Sequence, residues 1–564
     1  MCETTTRELT RHFFRRFFEN DVVQSAEGTV TTVVRALSIV AVPGLMFAFW
    51  LQNQYIRRPP WGRIEDEYFF VMFSFVVMAG VAIFEWEMLF PDRLDFIVLT
   101  PLSLRRWQMP AAKATALAMF LGLFLVAANF FGIFMLPAVT KSSTSMLPGI
   151  AGSSFGRQIV AQAVATLSAG IFGALAVMLL SGVLLCVFPP MLFRTVSLAF
   201  RMLAVTALGL LVIHYARFGD SMQQLLANGG EKMRWVPSFW FLGLYQSIQH
   251  GAAAPSFAAP MMQRADIASA LALLGVVLVY PMAWIRMRRM AIEEQVNRTA
   301  SRGHLTSRPI HSLIRIPEQR AVFHFIGQTM ARTTRYQVYM AIYFGAGLAL
   351  AISCATRVQV QNGTTHPALS SFGLHAVMPL LVFWTIAGLK MAFVFPLQLD
   401  ARWIFRSTGA SLSSCIAAAR KWALSSGLAV VFVVTTALVC AGWSGCQLLV
   451  QAVCGAALAA ILVDGFFFAQ TSVPFSRARR PGRTSLPLLL ALYLGVLPPS
   501  IYGMVFLELK LERDPFLLIA PVAFVPLLHY ALRRLRDRAV LVEEEREGAD
   551  GEFQLLGLCG DLST

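Results

Sequence analysis

The residues of this 564-residue chain that could do chemistry are few and widely spaced. Glu65, Asp66 and Glu67 form an acidic triplet just ahead of a long apolar run. Carboxylates grouped this way can hold a metal beside a lipid-linked phosphate donor, as in a polytopic glycosyltransferase; the plainer reading is a solvated acidic turn. Glu85, Lys390 and Asp464 are charges inside or at the edge of apolar runs. A charge at the bilayer centre costs about 2.5–3.5 kcal/mol on insertion scales, so each needs a partner or a function. His214 and His375 read as satisfied structural histidines, and Arg35 as a side chain that snorkels to the interface. The chain has no G-x-x-x-x-G-K-[ST], no H-E-x-x-H and no G-x-G-x-x-G. It therefore brings no recognisable phosphate cradle or metalloprotease helix, and it reads as a non-enzyme with no catalytic, cofactor-binding or metal-binding residues of its own. Its eight cysteines show no C-x-x-C spacing and read as small buried hydrophobes.

The elements that must position these residues follow from composition. The chain is 57% hydrophobic and 14% charged, with mean hydropathy +0.62. A soluble domain carries about 25% charged residues, so this is an all-α polytopic membrane protein. At roughly 20 residues per span it holds about 12 transmembrane helices. The apolar runs fall near 33–52, 68–90, 114–137, 158–187, 202–215 and 266–285, then 337–355, 372–397, 423–440, 446–471, 486–506 and 516–532. The segment Trp235–Tyr245 is too short to span and aromatic enough to lie at the interface. Residues 11–24 alternate Phe13, Phe14, Phe17, Phe18 and Val22 with Arg11, Arg15, Arg16, Glu19 and Asn20 at helical spacing, predicting an amphipathic helix on the inner leaflet. A second such helix is predicted with Val322, Phe325, Ile326 and Met330 on one face and Arg320, His324, Gln328 and Arg332 on the other. The start of the chain lacks the layout of a signal peptide.

One stretch organises the rest. Phe90-Pro91-Asp92-Arg93-Leu94-Asp95 returns as Phe395-Pro396-Leu397-Gln398-Leu399-Asp400, each at the end of an apolar run. The surroundings repeat in the same order: amphipathic helix, span, loop, span, F-P-x-x-L-D, basic segment, four more spans and an Arg cluster. This predicts two parallel six-span halves, 1–300 and 321–564, joined by a cytoplasmic linker 301–320 and ending in a disordered acidic tail from 543. The net charge of +16 is carried mainly by the terminal segments and alternate loops. The positive-inside bias thus places both termini and both F-P-x-x-L-D segments in the cytoplasm, and makes nucleic acid a poor second partner to the lipid bilayer.

Here the residues carry a resemblance. Glu87 to Arg106, with Phe90-Pro91, Val98-Leu99-Thr100-Pro101 and then Ala111-Ala112-Lys113, resembles the cytoplasmic loop of type-2 ATP-binding-cassette exporter permeases. Pro237 to Gln246, Leu399 to Arg406 and Val473 to Gly482 resemble later segments of a long bacterial form of that superfamily, with departures at Ser103 and at 476–480. The resemblance implies a bacterial inner-membrane permease driven by separate ATPase subunits, so that ATP is used only through partners. It implies that the cytoplasmic helix after the second span of each half docks on an ATPase, here through Leu94, Asp95, Leu99, Arg105 and Arg106, and through Leu399, Asp400, Trp403, Phe405 and Arg406. The transported substrate is not implied.

The repeat also gives a register between halves. Glu85 and Lys390 each lie five residues before their F-P-x-x-L-D, opposite charges at equivalent positions, and a gate ion pair between them is one reading; separate snorkelling to the inner interface is the other. Two functions compete with the permease: the glycosyltransferase suggested by the acidic triplet, and an ion-coupled secondary transporter, to which twelve spans also belong.

Overall fold

A computed structural model describes residues 2–18, 29–54, 60–86, 89, 95, 99, 105, 107–144, 154–227, 235–297, 314–361, 364–394, 411–468, 474–475 and 486–550. The chain divides into two compact units, Met1–Ser301 and Arg302–Thr564. Ten helices among the described residues are long and apolar enough to cross a membrane, five in each unit. This is an all-α multi-pass membrane architecture.

The first unit runs α1 (Cys2–Phe18), α2 (Thr29–Gln54), α3 (Pro60–Phe84), α4 (Gln108–Thr144), α5 (Phe155–Val187), α6 (Pro190–Ala227), α7 (Pro237–His250) and α8 (Ala258–Asn297). The expected first span lies in α2, whose described apolar run, Ala36–Gln52, is shorter than the ten. Helices α4 and α5 have 37 and 33 residues, more than the roughly 20 that cross a hydrocarbon core. Their excess carries polar residues beyond the apolar stretch. Helix α5 is central, packed on α3, α4, α7 and α8. Small residues permit that closeness: Gly170 faces Met78 and Leu125, and Gly173 faces Phe75 and Ala79.

Three expectations for this unit change. The acidic triplet is not in a loop, because α3 starts at Pro60, whose fixed φ suits a first helical turn. The second span ends at Phe84, short of Pro91. The aromatic segment expected at the membrane interface leaves Trp235 exposed and otherwise turns into the unit. It forms α7, whose Phe239, Phe241, Leu242, Tyr245 and Gln246 are buried against α3, α5 and α8.

The second unit runs α9 (Pro317–Arg332), α10 (Thr334–Ala355), β1 (Thr356–Gln361), β2 (Thr364–Leu369), α11 (Ser371–Val394), α12 (Leu412–Cys440), α13 (Gly445–Phe466), α14 (Leu486–Arg513) and α15 (Ile519–Asp550). The expected span 486–506 falls within α14. Helix α11 is the most enclosed span and touches α10, α12, α13 and α14. Its packing on α10 is reciprocal: Gly347 of α10 lies under Trp384, and Gly388 of α11 lies under Tyr343. The α12–α13 turn is written locally. Gly442 takes φ 83°, a left-handed residue beyond a helix end, and Ser444 with Gln447 forms a capping box at the start of α13.

The antiparallel hairpin β1–β2, in register from Thr356↔Leu369 to Gln361↔Thr364, was not anticipated. Its signal was Asn362-Gly363 between two β-prone stretches, a pair favoured in two-residue hairpin turns. The acidic tail expected to be disordered from 543 instead continues α15 to Asp550, and 551–564 lie outside the described residues. The linker ends where α9 begins, at Pro317 rather than after 320.

Candidate functional site

The site begins with α1. Leu9, Phe13 and Phe17 recur every four residues and are buried, while Arg7, Glu8, Arg11, His12 and Arg15 are exposed. The expected inner-leaflet contact is replaced by protein. Phe17 stacks on Phe120 of α4 with centroids 4.9 Å apart, and the Lys113 ammonium lies 5.4 Å from the Phe13 ring centroid. Thr10 Oγ1 meets Thr115 Oγ1 at 3.2 Å. Ala112 and Ala116, one turn apart on α4, are fully buried and leave room for the approach.

Among the described residues, the repeated junction meets this helix pair at Asp95. Asp95 is 4% exposed. Its carboxylate accepts from the Arg16 guanidinium of α1 and, at 3.0 Å, from Lys113 Nζ of α4. The predicted docking residue Asp95 therefore faces inward. Leu99 is half-buried against the core that includes Ile83, Trp86 and Ala116. Arg105 is exposed just ahead of α4, its N–H donating to Gln108 Oε1 and its carbonyl accepting from Gln108 N–H, both at 2.9 Å. Leu94, Arg106, Leu399, Asp400, Trp403, Phe405 and Arg406 lie outside the described residues.

The second unit builds a related arrangement. Helix α9 packs on α12, burying Val322, Phe323 and Ile326. Phe323, rather than the expected Phe325, leads the buried face and meets Trp422 edge-on at 5.3 Å. Lys421 Nζ donates to Gln319 Oε1 at 2.6 Å.

The charges within the spans are placed as follows. Glu85 is half-buried in the turn after α3, and Lys390 of α11 lies 5.2 Å from the Phe467 ring centroid. They belong to different units. Asp464 of α13, expected to make a polar contact, is held by Arg420 of α12 and by His529 Nδ1 of α15 at 2.8 Å. The Arg420 partner could have been sought among the basic residues just ahead of the preceding apolar run, 423–440. His375 of α11 is buried, with Nδ1 3.3 Å from Glu508 and Nε2 3.7 Å from Glu512, both on α14. Gln451 Nε2 donates to its carbonyl at 3.3 Å, and the Trp443 ring lies 4.7 Å away. His214 is half-buried on α6, and the Arg35 side chain is outside the described residues.

The acidic triplet is taken up inside the first unit. Asp66 and Glu67 are buried, and Glu67 accepts a hydrogen bond from Gln246 of α7. In the same helix pair, the neighbouring Tyr68 Oη and Ser238 Oγ are 2.8 Å apart, and the Tyr68 ring stacks on Phe239 at 4.0 Å. A solvated turn and an open acidic metal loop both differ from this. Among the described residues no group of three His, Cys, Asp or Glu side chains is placed to hold a metal ion. Cys415 and Cys454 are buried as expected, but Cys354, Cys440 and Cys446 are exposed.

One spacing that sequence reading passed over is Gly152-Ser153-Ser154-Phe155-Gly156, which fits G-x-S-x-G. A nucleophile elbow is a strand-to-helix turn. Ser154 precedes the long helix α5 at φ −59°, ψ 139°, and Gly152 and Ser153 lie outside the described residues.

Compared with protein-family models, curated proteins and solved structures, the chain matches none.

Proposed function

We propose that this chain is the membrane permease of an ATP-driven exporter, working with separate ATPase subunits that dock on the segments following α3 and α11. The observation that carries this reading is shared by both units: an amphipathic helix precedes the spans and packs on the third of them, α1 on α4 and α9 on α12. With the doubled F-P-x-x-L-D, this supports two six-span repeats of like orientation and a total of 12 spans. The positive-inside bias supports both termini in the cytoplasm of a bacterium whose inner membrane holds the protein. ATP is bound by the partners, and the substrate class is left open.

A second reading has an observation of its own. His375, Glu508 and Glu512 form a buried acid–base group between α11 and α14, of the kind an ion-coupled carrier uses. The transferase reading is weakened by the enclosure of Glu67 under Gln246.

The deciding experiment is purification of the full chain from its native membrane with and without substitutions in 94–106 and 399–406. Co-purification of an ATPase that these substitutions abolish supports the permease. Transport by the purified chain alone, driven by an ion gradient and indifferent to ATP, overturns it in favour of the carrier.

A further inference from the structure

Asp95 is one acid between two bases, and the three come from three parts of the first unit. Arg16 lies in the last turn of α1, Lys113 near the start of α4, and Asp95 in the stretch between α3 and α4. The Asp95 and Lys113 side chains are each 3% exposed, whereas Arg16 is 27% exposed. We propose that this triad is a latch that fixes α1 and the start of α4 to the α3–α4 segment, so that the three shift together. Asp95 is then a positioning residue for the docking segment and not a contact to the ATPase. The consequence for docking rests on the permease reading; the latch itself does not.

The charge arrangement sets an order of effects that ordinary packing would not. Losing Arg16 keeps the Asp95–Lys113 contact, and losing Lys113 keeps the Asp95–Arg16 contact. Losing Asp95 removes the carboxylate that both cations share. Arg16 can turn toward water, but Lys113 is enclosed beneath Phe13 and α1. The strain is relieved by pushing α1 off α4. Asp95→Asn is therefore the most disruptive single change. Lys113→Met, which keeps the length and the contact with Phe13 but removes the charge, repairs it.

The test uses the full chain with Thr10→Cys and Thr115→Cys, whose hydroxyls lie 3.2 Å apart, with single-cysteine controls. Oxidative cross-linking, read by tryptic cleavage between the two sites and gel mobility, reports whether α1 rests on α4. The parent cross-links efficiently, Asp95→Asn lowers the initial rate by about tenfold or more, Arg16→Gln lowers it less, and Asp95→Asn with Lys113→Met restores it. ATPase co-purification follows the same order. Unchanged cross-linking in Asp95→Asn, or no repair by Lys113→Met, overturns the latch. If Asp95→Asn yields no monodisperse protein, Arg16→Gln decides: cross-linking equal to the parent overturns the latch, and a reduced rate supports it. If the cross-linking order holds while no ATPase accompanies the parent chain, the latch stands and the docking reading fails.

Discussion

The Lys113 ammonium lies 3.0 Å from the Asp95 carboxylate, and neither side chain is more than 3% exposed. The pair joins the repeated junction to α4, and Arg16 brings in the amphipathic helix α1. Asp95, expected to contact a partner, is thus taken up by its own chain.

The second unit has a comparable buried ion pair deeper in its spans. Arg420 and Asp464 contact each other, and His529, 49% exposed on its side chain, completes the group. Asp464→Asn leaves an enclosed guanidinium and is expected to destabilise the protein by about 3–5 kcal/mol. His529→Gln, at a site open on one side, is expected to cost about 1 kcal/mol or less. Thermal unfolding in detergent distinguishes the two; equal effects would count against a buried Arg420–Asp464 pair.

Helices α10 and α11 approach through glycine. A Cβ at Gly347 would come 2.8 Å from Trp384 Cβ, closer than real contacts allow. Gly347→Leu is expected to cost about 1–3 kcal/mol or more. Trp384→Ala keeps the Cβ but removes the indole, whose Cγ would lie 3.0 Å from the new Cβ, and is expected to recover that part of the loss. The measurement is the melting temperature of the single and double variants, and an additive double variant would remove the steric explanation.

Glu67 offers a direct test between a structural carboxylate and a catalytic one. Glu67→Gln keeps a carbonyl oxygen for the Gln246 donor, so folding and transport are expected to change little. Glu67→Leu leaves the buried Gln246 amide without that acceptor and is expected to cost about 1–3 kcal/mol. Loss of function with intact folding in Glu67→Gln would revive the glycosyltransferase reading.

His250 ends α7 close to Arg157, whose Nε donates to the Ile248 carbonyl at 2.7 Å. Partial burial, and secondarily the Arg157 charge, hold its pKa below the ordinary histidine value. A base whose folded pKa is lowered binds its proton more readily in the unfolded chain. Stability is therefore complete above the ordinary histidine pKa and declines as pH falls through it. The slope is small, because the imidazole is largely open to water. Melting temperatures between pH 8 and pH 5 should converge for the native chain and His250→Gln above neutrality and separate below it, with the native chain the lower.

Much of the architecture was written in the residues themselves. Apolar runs of span length gave the helical membrane class, because a bilayer forces backbone hydrogen bonds to close within each segment. The spacing of Phe13, Phe14 and Phe17 marked an amphipathic helix, expected over 11–24 and found over Cys2–Phe18 with Leu9 on its buried face. It did not say what would cover that face, since lipid and α4 are equally apolar and only the tertiary approach of Ala112 and Ala116 decides between them. The hairpin after α10 had its turn signal in Asn362-Gly363, overlooked beside much stronger helical patterns.

The same division holds at the site. Sequence alone determined that Phe90 to Asp95 and Phe395 to Asp400 are a repeated junction, that Glu85, Lys390 and Asp464 are rare charges in apolar runs, and that Glu67 belongs to an acidic triplet. Only the tertiary structure decided that Asp95 faces Arg16 and Lys113, that Asp464 meets Arg420, and that Glu67 lies under Gln246. The physical reason is range. Hydrophobic periodicity acts within a helix and leaves its trace in neighbouring residues. The partner of a buried charge is chosen by which helices pack together, and in these pairs the partners lie from 18 to 179 positions away along the chain.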